Sequence, residues 1–212
     1  MYSLDETREA FQQQLIVVES EFKSITDLSV ESSLPNWSIG VLVGHITISL
    51  KLSKMLNAAQ PEAHQPQISF REWMRRTSEF SDEIDLMSQG YAKKRSNQDL
   101  GEQFREGAQE ARHFLDAVDE SLRIVLPAWE VWVSIEDFLL GRVVELTVHG
   151  IDLSRSIGSA TRPAASAASL VAKLLEGDFG DVRPDGLDDD TAWICAATGR
   201  ETHEDDRLPL FK

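Results

Sequence analysis

The chain has 212 residues, 42% of them apolar and 27% charged, which is enough to bury a core and too apolar to leave the chain disordered. Its 36 acidic and 21 basic residues give a formal charge of −15, which argues against a nucleic-acid binder, since that needs basic surface to displace counterions, and against adsorption on anionic lipid. A single cysteine, Cys195, excludes an internal disulfide framework.

Helical periodicity dominates. Phe11, Leu15, Val18, Phe22 and Ile25 step by four and three, drawing an apolar stripe on a helix from about Leu4 to Leu28. Residues 1–8 lack the basic start of a secretory signal, so a cytoplasmic protein is expected. Leu34-Pro35-Asn36 interrupts the helix. Ser38 then suits an N-cap, with Trp37 and Leu42 placed for a hydrophobic staple, and a second helix is expected to run to about Asn57 or Ala59. Its apolar run Ile39–Ile46 is far too short for a bilayer. Gly40 and Gly44, one turn apart, weaken that helix but admit a close neighbour.

Gln60–Gln67, with two prolines, reads as a loop. A less regular helical segment follows at Ser69–Gln89, and the polar Gly90–Asn97 reads as a connection. Phe104, Ala108, Ala111, Leu115, Val118, Leu122 and Val125 keep strict helical steps, which predicts one long helix ended by Pro127. Ala128–Ser134 reads as a short apolar linker or an extended piece, and a fifth helix runs from about Ser134 to Ile157. Beyond Gly158 a helix over Thr161–Glu176, a glycine-rich loop at Gly177–Leu187 and a last helix at Asp188–Ala197 are expected, with acids at the start of that last helix and Gly199 at its end. The whole reads as an all-α bundle of four or five amphipathic helices over residues 1–158, with residues 159–212 as a short C-terminal extension packed on it.

The fifth helix carries a polar stripe, Arg142, Glu145, His149 and Asp152, spaced three, four and three, within an arc of roughly 80°. Glu145 and His149, one turn apart with Cβ atoms about 5–6 Å from each other, can reach one cation. The plainer reading is a solvated face with incidental contacts, although Leu, Val and Phe border it closely. His45, inside the second helix's apolar run, is either a core histidine bonded to a carbonyl or a third ligand brought to face that pair. Two histidines and a carboxylate would leave one coordination position open, the catalytic form of a zinc site. In a metal-free bundle, by contrast, Glu145 should prove exposed, because burying an unneutralised carboxylate is costly.

His64, His113 and His203 stand in loop or off-stripe settings, and Cys195 reads as a small core residue. Arg142 and Arg200 are the arginines suited to gripping an anionic substrate, with ordinary salt bridges as the plain alternative. Asp152 is a candidate for an outer-sphere or acid–base group.

Leu34-Pro35-Asn36-Trp37-Ser38-Ile39, then Leu42 and His45-Ile46, resembles the first histidine motif of the DinB/YfiT-like metalloenzyme superfamily. Arg142-Val143-Val144-Glu145, then His149-Gly150-Ile151-Asp152-Leu153, resembles its second. The version most similar is the mycothiol-dependent maleylpyruvate isomerase branch, whose tails Ala197-Thr198-Gly199-Arg200 and Leu208-Pro209-Leu210-Phe211 also resemble. The resemblance covers about residues 5–158 and the tail, and the stretch after Gly158 is shorter than that branch's full C-terminal domain. It implies a four-helix bundle with a divalent metal, usually zinc, on His45, Glu145 and His149, and mycothiol as thiol co-substrate.

A free thiol with a pKa of about 8.5 is a weak nucleophile near neutral pH, and a divalent metal deprotonates it. Attack on a small electrophile followed by release makes a transferase; attack on an alkene, bond rotation and expulsion of the thiol makes an isomerase. Arg142 would hold a substrate carboxylate, Asp152 would assist, and Arg200 would serve the co-substrate. The competing reading is a non-catalytic helical protein with a structural or sensory metal. Partners are therefore a small thiol and a small electrophile, with no nucleic acid or membrane, on a monomer or homodimer.

Overall fold

The computed structural model describes residues 2–52, 64–126 and 129–210. Eight helices dominate the described residues: α1 (Leu4–Lys23), α2 (Ile39–Leu50), α3 (Phe70–Ser78), α4 (Ser81–Lys93), α5 (Asn97–Ala117), α6 (Ile135–Ser156), α7 (Ala165–Phe179) and α8 (Asp190–Ala197). One antiparallel hairpin, β1 (Arg123–Leu126) with β2 (Val131–Ser134), precedes α6 and pairs Ile124 with Val133.

The fold is all-α and DinB-like. α1, α2, α5 and α6 form the bundle, with α1 against α6 and α2 against both α5 and α6. Phe11, Leu15, Leu42, Phe104, Leu115, Phe138 and Val143 meet in a common core, almost wholly removed from water. Each such side chain contributes about 1.5–3 kcal/mol by leaving water. α7 packs on α1 and α6, and α8 on α7.

Side-chain caps set most helix starts. Ser3, Ser38, Ser69, Ser96, Ser134 and Asp189 each accept a backbone N–H of the first turn, and Ser3 and Ser96 complete capping boxes with Glu6 and Asp99. The expected starts at Ser38 and Ser134 are therefore met. α7 has no such cap; the buried Gln14 of α1 substitutes, accepting from the N–H of Ala164 at 2.9 Å while its amide donates to the Leu146 carbonyl at 3.2 Å.

Boundaries differ from the sequence expectation at several places. α1 ends at Lys23 rather than near Leu28, with Ser24 as its C-cap, and the Asp27 side chain beyond it accepts from the N–H of Ser29 in the turn that follows. α2 ends at Leu50, where Lys51 leaves the helical range as its C-cap, short of the expected Asn57 or Ala59; residues 53–63, with half of the expected loop from Gln60, lie outside the described residues. The single helix expected at Ser69–Gln89 is two, broken at Glu79–Phe80, because α3 must lay Trp73 over Gly141 while α4 packs on α2. α4 then continues to Lys93, through residues expected to be a connection.

The long fourth helix stops at Ala117. Val118 is extended, Asp119 accepts from the N–H of Ser121, and Ile124 and Val125 join a strand. Pro127, its expected terminator, lies outside the described residues. Val131–Ser134 is extended, the second of the two readings of that segment, and α6 matches its expected span within a residue. α7 runs to Phe179, past its expected end, and closes on the left-handed Gly180.

Gly141 marks the tightest approach to α6: a Cβ there would lie 2.6 Å from Cζ3 of Trp73. Trp73 is 5% exposed and stacked on Phe138, so its ring has little room to retreat. Overpacking outweighs the gain of about 1 kcal/mol in helix propensity, and Gly141→Ala is expected to destabilise the fold by about 1–2 kcal/mol in chemical denaturation. Equal or greater stability would show that the indole moves freely.

Candidate metal centre

α2 and α6 cross with His45 of one facing Glu145 and His149 of the other. Nε2 of His45 lies 3.1 Å from Oε2 of Glu145, and Nε2 of His149 lies 3.5 Å from the same oxygen. The two imidazoles sit edge to face, 4.6 Å between centroids. One ligand atom from each residue falls within 4.8 Å of the others, the single such group of histidine, cysteine and acidic side chains found among the described residues. Donors about 2.1 Å from a tetrahedral ion stand roughly 3.4 Å apart, so this spacing fits a zinc-sized ion.

The other ring nitrogens are occupied. Nδ1 of His149 lies 3.0 Å from Oδ2 of Asp152, and Nδ1 of His45 lies 3.0 Å from Oγ of Ser88 on α4. Both Nε2 atoms are thereby left for the gap they share with Glu145, the outer-sphere pattern of metal-binding histidines.

α6 reaches this arrangement because its Phe138, Leu139, Val143, Leu146 and Leu153 are buried, turning the stripe from Arg142 to Asp152 toward α2. α2 reaches it through its glycines. A Cβ on Gly44 would lie 3.2 Å from the Tyr91 ring of α4, and one on Gly40 would lie 3.0 Å from the Leu28 carbonyl. The close neighbours anticipated for these glycines are thus α4 and the turn after α1. Trp37, anticipated as half of a staple, flanks the site: its ring is 5.3 Å from that of His45 and 6.4 Å from that of His149, and its indole N–H donates to Asp85 of α4.

Burial opposes charge on Glu145, but its polar surroundings, with His45 and His149 at its oxygen and the Arg142 guanidinium nearby, hold its carboxyl well below the usual range. It is an anion at neutral pH, with its side chain 20% exposed, not the freely solvated carboxylate that a metal-free bundle calls for. Burial depresses His45, only partly offset by Glu145, and keeps the ring neutral. Burial likewise opposes charge on Asp152, yet hydrogen bonds from His149 and Arg200 keep it below the ordinary carboxylate range.

The two arginines differ. Arg200 binds Asp152 twice, Nε to Oδ1 at 3.1 Å and Nη2 to Oδ2 at 2.9 Å, and donates its third nitrogen to the Thr198 carbonyl. Arg142 lies over Trp73 and Phe138, 5.4 and 5.6 Å from their centroids, with a buried Nε that has no hydrogen-bond partner. Among the described residues no carboxylate is within ion-pair distance of Arg142. Burial lowers its pKa against the field of Glu145, but a guanidinium stays protonated.

The other candidates stand apart. His203 accepts from the N–H of Asp205 through Nδ1, and Cys195 is buried beneath the Arg155 guanidinium, its thiol pushed up by burial. Ser88 and Asp85 were not legible in advance: a serine and an aspartate on an irregular amphipathic segment carry no chemical signature until α4 is docked.

Fold and site define the class, an all-α bundle with a histidine–glutamate–histidine cluster clasped between two of its helices. Residues 24–154, more than half of the chain, match the family described as the mycothiol maleylpyruvate isomerase N-terminal domain, and the chain belongs to that family. No curated protein matches significantly. The crystal structure of the mycothiol-dependent maleylpyruvate isomerase has the same fold, with a TM-score of 0.58 over 82% of this chain and 70% of that one at 13% identity. Among the described residues no helix is long and apolar enough to cross a membrane.

Proposed function

We propose that the chain is a divalent-metal enzyme of thiol chemistry, a transferase or an isomerase, that uses a low-molecular-weight thiol of the mycothiol kind against a small electrophile. The observation carrying this reading is the convergence of two imidazole Nε2 atoms on one carboxylate oxygen. When bound, a divalent cation such as zinc supplies thiolate at neutral pH. The family membership and the name of the similar crystal structure support mycothiol as the thiol and a maleylpyruvate-like acid as the electrophile.

The chain's own residues then divide the work. His45, Glu145 and His149 hold the ion, and Asp152 fixes the His149 ring. Arg200, expected at the co-substrate, is assigned instead to keeping Asp152 ionised and in place. Trp37 shields one side of the histidines from water. The carboxylates of Glu145 and Asp152 balance the guanidinium charges of Arg142 and Arg200, so a bound dication leaves the site net positive. That polarity suits a thiolate together with an anionic substrate. Arg142, over two aromatic rings and without an ion-pair partner among the described residues, is assigned to the substrate carboxylate.

Elemental analysis of purified chain, followed by thiol consumption with a carboxylate-bearing electrophile, tests the proposal. Stoichiometric metal and turnover that His45→Ala abolishes are expected. Metal without turnover would favour a structural or sensory site, and no metal would remove the proposal. Arg142→Ala is expected to raise KM for the anionic electrophile about ten- to hundredfold, the loss of one charge-assisted hydrogen bond, with little change for a neutral one. Equal effects on both electrophiles would exclude that role.

A further inference from the structure

Ser88 lies on α4, outside both ligand-bearing helices, and is wholly buried. Its hydroxyl has one proton. Oγ is 2.8 Å from the carbonyl oxygen of Ile84, and a carbonyl only accepts, so that proton is committed there. Oγ is also 3.0 Å from Nδ1 of His45. With its proton spent, Oγ can only accept, so Nδ1 carries the hydrogen. The neutral ring then presents a bare lone pair at Nε2. That lone pair faces the Glu145 oxygen at 3.1 Å. Two acceptors at that separation repel each other unless a cation lies between them.

We propose that Ser88 is a positioning residue of the metal centre, fixing His45 in the Nδ1–H tautomer through the chain Ile84 carbonyl, Ser88 hydroxyl, His45 imidazole, and so aiming Nε2 at the ion. The inference rests on the His45, Glu145 and His149 ligand set. It gives the two histidines unlike supports. His149 leans on a buried carboxylate and gains basicity from it, whereas His45 leans on a neutral hydroxyl that orients it without adding negative charge. It also gives α4 a purpose in the site: Asp85 and Ser88, three residues apart on one face, hold Trp37 and His45.

The test uses the full chain with zinc(II) by chelator competition and cobalt(II) by its visible absorption. Ser88→Ala is expected to weaken both about ten- to hundredfold, while Ser88→Thr, which keeps the hydroxyl, restores binding. In zinc-loaded protein with nitrogen-labelled histidine, the His45 Nδ1 proton is expected to exchange slowly with solvent, and Ser88→Ala to abolish that protection. Thermal melts confirm that the variants fold. Unchanged affinity in Ser88→Ala, or a His45 Nδ1 with no protected proton in the parent chain, overturns the role of Ser88 and leaves the ligand set standing. A folded parent chain that binds neither metal overturns both.

Discussion

His45→Ala is expected to erase the thermal stabilisation that zinc gives the parent chain. Free zinc at one hundred times its dissociation constant adds about 2.7 kcal/mol to any fold that binds it only when native. For a chain of this length each kcal/mol moves Tm by about 2–4 °C, so the parent is expected to gain about 5–11 °C. The variant keeps Glu145 and His149, both on α6, and loses the donor from α2. Two adjacent donors on one helix do not close a site across the bundle, and the tie between α2 and α6 goes with the third. Scanning calorimetry of both proteins with and without zinc decides the matter. A gain in His45→Ala comparable to the parent's would place the ion elsewhere, and no gain in either would remove it.

The α6 stripe was legible because the steps between Arg142, Glu145, His149 and Asp152 follow the helical repeat, and the regular burial of Val143, Leu146 and Leu153 fixes the direction in which that stripe must face. His45 was legible as a polar residue in an otherwise apolar run. Its pairing with α6 was not, since a helix pattern states which face is buried but not against what. The repeat also misled. Leu122 and Val125 continue the α5 stripe in register, yet Asp119 turns the chain and Val125 enters a strand facing Trp132. Periodicity cannot separate a helix's last turns from a short apolar strand when β-branched residues fill both patterns. The glycines of α2 announced a close neighbour without naming Tyr91, and Ser88 announced nothing at all. Its importance arises only from the docking of α4, which Gly44 allows.

Removing the Asp152 carboxylate is expected to cost both stability and metal affinity, in proportions that two variants separate. Asp152 is 1% exposed and accepts from His149 and twice from Arg200. Asp152→Ala leaves a largely buried guanidinium without its counter-ion and an imidazole N–H without an acceptor. Breaking such a pair from one side costs about 3 kcal/mol, a fall in Tm of about 6–12 °C. Asp152→Asn fills the same volume and can still accept from Arg200, so its loss of stability is smaller. Its effect on the metal is not. A carboxamide N–H placed at Nδ1 donates to it, which reverses the His149 tautomer and puts a proton on the Nε2 that must bind the ion, as an asparagine does beside a catalytic histidine. Asp152→Asn is therefore expected to lower zinc affinity at least tenfold, in the range of lost outer-sphere partners, while melting closer to the parent than to Asp152→Ala. Chelator competition and denaturation measured on the same preparations check both halves. Parent-like zinc binding in Asp152→Asn would mean that the carboxylate serves the fold through Arg200 and does not orient His149.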